Sequence, residues 1–283
     1  AACFLVSAIP LGVVHASDNV TALDCRIPDA RLEKSYGAQL YTIRVAMEQD
    51  FEGSLCRVAQ IGYREVEFAG LYGHDPIDVR ALLDRYQLDA VASHADWRQL
   101  RDDPQKAIRD AKSLGTKYLV LAWLPREERQ TLVQWRWWVA QLNKVGETAA
   151  AEGIALLYHA HDFEYHAIDG VRPIDLLQEQ LDPKFVNFEM DIYWTVKGGG
   201  DPVALLRQYP GRFPLAHVKD MQKASTGMAD VGDGRIDFSS IFASAGKRDF
   251  LHKFVERDEA SEPFETLRRS LAHMQSIERK SRP

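Results

Sequence analysis

His159 and His161 stand two residues apart at the end of a mostly apolar run, in the stretch IALLYHAHDFEY (154–165), with Asp162 and Glu164 just beyond. Strand side chains alternate between faces, so both imidazoles are expected on one face at the mouth of a buried strand. Taken alone, the pair reads equally well as two hydrogen-bonded histidines near a surface. Other apolar runs end in the same manner, however. Gln39 and Tyr41 lie in GAQLYTIR, Glu65 and Glu67 in YREVEFAG, His94 in LDAVASHADW, and Trp123 in TKYLVLAWLP. Glu189 and Asp191 lie in VNFEMDIYW, His217 and Lys219 in FPLAHVKD, and Glu256 in DFLHKFVERD. Brought together, such carboxylates and imidazoles are what one hard or borderline divalent cation requires: Mn²⁺, Mg²⁺, Co²⁺ or Zn²⁺. Left unpaired in an interior, each acid would cost on the order of several kcal/mol. The competing arrangement is a salt-bridge web with Lys197 and Lys219.

The elements that must position these groups alternate strand and helix from residue 37 onward. Strands are expected at 37–44, 63–70, 88–97, 116–125, 154–158, 186–194, 213–220 and 249–258. Asp75-Pro76, Asp103-Pro104 and Asp201-Pro202 each pair an N-cap with a proline at the first helical position. Trp135, Trp138, Leu142, Val145 and Ala149 recur at helical spacing over about 129–152, a buried stripe. The closing helix runs from Ser261 to Met274. Eight strands alternating with helices indicate an α/β (β/α)₈ TIM barrel over 36–280, whose strand C-termini form the active face. A doubly wound sheet would more often carry a glycine-rich phosphate loop after its first strand, and no GxGxxG follows GAQLYTIR.

Composition narrows the function classes. The chain has 283 residues, 46% of them hydrophobic, and a formal net charge of −6, which offers no track for a phosphate backbone and gives no expectation of a nucleic-acid partner. No apolar run in the body is long enough to span a membrane. Residues 1–16, AACFLVSAIPLGVVHA, read as the apolar region and cleavage site of a secretory signal lacking its basic start, which points to a periplasmic or secreted protein. Cys25 and Cys56 remain beyond that segment; an oxidising compartment would allow them to pair, but spacing does not establish it. The oligomeric state is left open.

Taken together, GAQLYTIR, VEFAGL, YHAHDFEY, MDIYWTVKGGGDP, HVKD and FVERD resemble the sugar phosphate isomerase/epimerase-like family, the xylose isomerase-like barrels that also include endonuclease IV. The resemblance implies one divalent cation near the barrel axis, held by Asp191, His217 and Glu256. The family's fourth ligand is a glutamate ending the fifth strand. Here histidines stand in its place, and His161 is expected as ligand slightly ahead of His159. The YHxH motif is shared with a subgroup near inosose dehydratase-like proteins.

The implied activity is a metal-dependent isomerase or epimerase of a keto sugar or related polyol, working through an enediolate. Glu256 is the expected base, with Glu164, His94 and Lys219 as the acid or as holders of hydroxyls. Gln39, Tyr41, Glu67, Trp123, Trp194 and Lys197 are expected around the small-molecule sugar. Dehydratase or hydratase chemistry on a keto sugar or inosose is the nearest alternative, and a non-catalytic exported sugar-binding barrel the next. An endonuclease IV-like repair enzyme fits the acidic balance poorly.

Overall fold

Asp75, Asp103 and Asp201 cap helices as their spacing predicts, each accepting backbone N–H groups of the first turn: from Ile77, from Lys106, and from both Val203 and Ala204. The structure is a computed structural model that describes residues 25–27 and 36–281; the apolar segment 1–16 lies outside them. Eight parallel strands close into a barrel in chain order, β8 pairing back onto β1. They are β1 (Gly37–Gln39), β2 (Glu65–Phe68), β3 (Asp89–Ala95), β4 (Tyr118–Leu121), β5 (Ala155–His159), β6 (Val186–Asp191), β7 (Leu215–Val218) and β8 (His252–Val255). The crossover helices are α1 (Phe51–Ile61), α2 (Pro76–Tyr86), α3 (Pro104–Leu114), α4 (Leu132–Ala151), α5 (Pro173–Gln180), α6 (Pro202–Gln208), α7 (Phe238–Ala243) and α8 (Pro263–Ser281). The expected (β/α)₈ barrel is therefore present. Among the described residues no helix is long and apolar enough to cross a membrane.

The strands are shorter than their apolar runs. β1 ends at Gln39 because the Gln39 side chain accepts from the Tyr41 N–H and starts a 3-10 turn, Leu40–Ile43. Hydropathy does not separate that turn from a strand, since three of its residues are buried. Two short helices, Trp97–Asp102 and Ile192–Lys197, follow β3 and β6 directly; both were unread in the sequence. The helix α4 starts at Leu132 behind a reciprocal cap between Thr131 and Gln134. Cys25 and Cys56 form a disulfide that ties the segment 25–27 to α1.

The main core lies between the barrel wall and the helices, including Trp135 and Trp138 from α4. Inside the barrel a smaller apolar layer, with Val120, Leu157, Leu215 and Phe254, makes a floor. Below it Glu65 meets His252 at 2.8 Å. Phe254 fits because β1 begins with a glycine: a Cβ on Gly37 would sit 2.4 Å from the Phe254 ring and 3.1 Å from the Glu65 carbonyl oxygen. Gly37→Ala must displace that ring in a closed barrel. We expect a loss of about 1–3 kcal/mol in urea denaturation; an unchanged midpoint would show that the floor has slack.

Candidate active site

Two histidines and four carboxylates at the strand ends set the geometry. His159 ends β5, and its Nδ1 lies 3.0 Å from Glu189 Oε2 of β6. His217 lies on β7, and its Nε2 is 2.6 Å from Glu67 Oε2 of β2 and 3.1 Å from Glu189 Oε2. With one ring nitrogen of each histidine held by a carboxylate, the other nitrogens turn toward Asp191: His159 Nε2 is 3.6 Å and His217 Nδ1 3.7 Å from Asp191 Oδ2. Asp191 Oδ1 is meanwhile fixed as the cap of the helix Ile192–Lys197, accepting from the Trp194 N–H. Glu256 follows β8 and brings Oε2 to 2.6 Å from His217 Nδ1.

These are the donors of a metal site. His159, Asp191 and His217 offer ligand atoms within 4.8 Å of one another, as do Glu67, His94, Glu189 and His217. Metal–ligand bonds of about 2.0–2.2 Å in a tetrahedron separate neighbouring donors by roughly 3.3–3.6 Å, close to the spacing around Asp191. Asp191 Oδ2, His217 Nδ1 and Glu256 Oε2 are buried and lack a hydrogen-bond partner of acceptable geometry among the described residues, although they crowd together. Buried polar atoms left in this state call for a partner. Carboxylates behind ligating histidines are also the usual support of a metal, fixing tautomer and ring orientation. The residues present thus fit a divalent cation.

Lys219, two residues after His217, places its ammonium among three carboxylates: 3.0 Å from Asp191 Oδ2, 2.9 Å from Glu256 Oε2 and 2.8 Å from Asp258 Oδ1. Burial opposes its charge, but Asp191, Glu256 and Asp258 outweigh burial and raise its pKa well above the ordinary lysine value. Burial alone would raise Glu256; Lys219 and His217 instead pull it far below the usual carboxylate range. Burial and the neighbouring Glu256 push Asp258 up to about 6. His217 is raised in spite of burial by Glu189, Glu256 and Glu67.

His161 stands outside this network. It lies past the end of β5, its ring stacked 5.3 Å from Phe163 and centred 5.4 Å from Trp194. The Trp194 contact is tilted rather than stacked, and the ring also stands edge-on to His159 with centres 4.8 Å apart. Its buried Nδ1 has no hydrogen-bond partner among the described residues. Burial, then His159 and Lys219, depress its pKa well below the ordinary value, so the ring is neutral. Glu164 holds the turn that presents it: Oε2 accepts from the His161 N–H at 2.8 Å, and Oε1 from the Tyr158 hydroxyl at 2.7 Å.

The cleft above the strands, about 1070 Å³, is lined by His94, His159, His161, His217, Lys219 and Glu256, and also by Tyr41, Trp123 and Trp194. Other expectations need correction. Glu164 does not reach the cleft; both its oxygens are engaged behind it, because it follows a turn rather than a strand. Gln39 is fully buried, its Nε2 3.1 Å from His94 Nε2, and Glu67 is fully buried against His217; neither lines the cleft. Lys197 packs its ammonium 4.3 Å from the Trp194 ring centre and 3.5 Å from Asp162, also outside the lining. His94, expected as the acid or a holder of hydroxyls, does line the cleft. Burial opposes its charge, yet Glu67 and Glu189 push its pKa up to about 9. His159, not His161, joins Asp191 and His217, because the strand ends at His159 and the chain turns before His161.

Two contributors escaped the choice of site residues. Glu189 stands at spacing two from Asp191 in the sequence, but only the barrel shows it between His159 and His217. Asp258 stands at the same spacing from Glu256 and lies beyond the strand end.

Comparison with known proteins places this architecture. A family model described as xylose isomerase-like TIM barrel matches residues 55–277. The inosose dehydratase of Geobacillus kaustophilus is 28% identical over 236 residues, which cover 69% of this chain and 76% of that protein. A solved sugar phosphate isomerase/epimerase from Parabacteroides distasonis superposes with a TM-score of 0.75 and 26% identity, covering 89% of this chain and 97% of that one. A solved IOLI protein with a bound zinc atom shares the fold, with a TM-score of 0.64 and 15% identity over 86% of this chain and 97% of that one.

The Glu164 clamp carries a pH signature. Burial raises its pKa from 4.5 to about 7, against the hydrogen bonds from Tyr158 and His161. With the folded value above the unfolded one, its contribution to stability is present at low pH and is lost as pH rises from about 4.5 through 7. Glu164→Gln, neutral throughout, should therefore gain on wild type between pH 5 and pH 8 by an amount on the order of 2–3 kcal/mol in urea titrations. A constant difference between the two proteins would place the ionisation elsewhere.

Proposed function

The chain belongs to the xylose isomerase-like TIM barrel family, and from that premise we propose that it is a metal-dependent dehydratase of a keto sugar or inosose. The observation that carries this reading is an unlike pair lining one cleft, the His161 imidazole and the Lys219 ammonium. Elimination needs one group to take a proton and another to give one, whereas epimerisation through two metal-bound glutamates needs a matched pair. The substitution of histidine for glutamate at the end of β5, together with the similarity to inosose dehydratases, supports the same choice.

The residues divide the work. His159, Asp191, His217 and Glu256 would hold the cation, and Glu67 and Glu189 orient the two histidines. When bound there, a divalent cation supplies Lewis acidity to a substrate carbonyl. The His161 imidazole, which lines the cleft, takes the proton from the carbon next to that carbonyl. The Lys219 ammonium gives a proton to the departing hydroxyl, which leaves as water, and a carbon–carbon double bond forms. Isomerisation would use the same first proton transfer and return the proton to carbon instead. The Cys25–Cys56 disulfide supports an oxidising compartment, in keeping with a periplasmic or secreted enzyme.

Two outcomes are expected. Glu67→Gln should weaken zinc binding by roughly 10–100-fold in competition with a chelating indicator, since it supports His217 without touching the ion; an unchanged affinity would remove Glu67 from that role. His161→Ala should keep its metal and lose turnover by roughly 10²–10⁴-fold. The assay follows loss of water from a panel of inososes and keto sugars in D₂O, with product and recovered substrate read by NMR. Isomers labelled at carbon, without dehydration, would favour the isomerase reading. Bound sugars with neither reaction nor exchange would make the barrel a binding protein.

A further inference from the structure

Arg129, in the loop between β4 and α4, is held at more points than a surface arginine needs. Its carbonyl accepts from the Trp135 indole at 3.1 Å, and its backbone N–H donates to the Arg126 carbonyl at 3.2 Å. The side chain is fixed as well. Nε donates to the Leu124 carbonyl at 2.9 Å, and the guanidinium carbon lies 3.5 Å from the centre of the Phe163 ring. A planar guanidinium laid against an aromatic face keeps its edge for hydrogen bonds.

That edge is unclaimed. With Nε engaged, the two Nη groups have no hydrogen-bond or ion-pair partner among the described residues. Two acids near it in sequence or in charge are committed elsewhere. Glu164 feels the Arg129 charge, but its oxygens accept from Tyr158 and His161. Asp162 faces Lys197 at 3.5 Å. A half-buried, pinned arginine without a carboxylate is an unusual use of charge, and its fork matches a carboxylate or a phosphate.

Ring contacts set its place relative to the chemistry. Phe163, which carries the guanidinium, is stacked on His161 with centres 5.3 Å apart and planes within 8° of parallel. All three residues line the cleft. Phe163 therefore touches both the guanidinium and the imidazole assigned to proton transfer, a span that a six-carbon sugar with a terminal anion covers.

We propose that Arg129 receives an anionic group of the substrate, a carboxylate or a phosphate, so that the substrate is a keto sugar acid or a keto sugar phosphate rather than a neutral sugar. The inference rests on the sugar reading of the inner site and narrows the substrate class of that site.

Isothermal titration of the metal-loaded protein with D-fructose, D-fructuronate and D-fructose 6-phosphate tests it. At least one anion should bind about tenfold or more tightly than D-fructose, and the tighter of the two tells carboxylate from phosphate. Arg129→Gln should cut that preference to about threefold or less, and Arg129→Lys, which keeps the charge without the fork, should restore part of it. Circular dichroism and thermal melts confirm that both variants fold. Equal binding of all three compounds, no binding by any, or a preference that survives Arg129→Gln overturns the assignment; the last result would mean that the anion meets the metal instead. Deuterium exchange from D₂O into D-fructose judges the inner site separately. Exchange without an anion preference refutes the Arg129 site alone. An Arg129-dependent preference without exchange or dehydration supports that site and removes the dehydratase reading.

Discussion

Buried negative charge is the constraint on which the barrel mouth depends. Glu67, Glu189, Asp191 and Glu256 are almost entirely out of water, and Asp258 is only partly exposed beside them. Such a group of carboxylates is tolerable only when cations and hydrogen bonds answer each one. Lys219 answers the outer three, and His217 and His94 answer the inner ones. Removing any one partner leaves an uncompensated charge. Coupling of this kind makes a rigid frame for a cation and for the carbonyl it would polarise.

Histidine chemistry is divided by environment. His217 and His94 sit among carboxylates and are raised, whereas His161 sits among rings and is depressed. Identical side chains thereby acquire opposite characters, one set compensating buried negative charge, the other a neutral ring. Position along the strand causes the difference. His159 still follows the strand, so it faces Glu189 and Asp191. His161 follows the turn that Glu164 fixes, so it faces Phe163 and Trp194.

The apolar floor is the other half of this arrangement. Val120, Leu157, Leu215 and Phe254 fill the barrel beneath the polar layer. They shield it from water on one side and leave the cleft as its exposed side. Gly37 is the concession that lets Phe254 take its place. Packing below and charge pairing above thus act on the same strands, and a shift of either reaches the other within one residue of register.

The amino-acid sequence by itself determined the alternation of strand and helix, the Asp-Pro helix starts and the barrel, because each depends on local periodicity and capping chemistry. It also marked which strand ends carry acids and imidazoles, since spacing two on a strand is a local property. It did not determine where strands stop: LYTI after Gln39 is as apolar as a strand, and only a side-chain cap turns it into a 3-10 helix. Nor did it separate the surroundings of His159 from those of His161, or show that Glu67 meets a histidine and Glu164 holds a turn. Those assignments were decided by the closing of the barrel, which brings β2 across to β7 and sets residues 150 apart in sequence at 2.6 Å. A side chain's charge and hydrogen-bond partners belong to the residues that surround it in space, and one-dimensional order does not contain them.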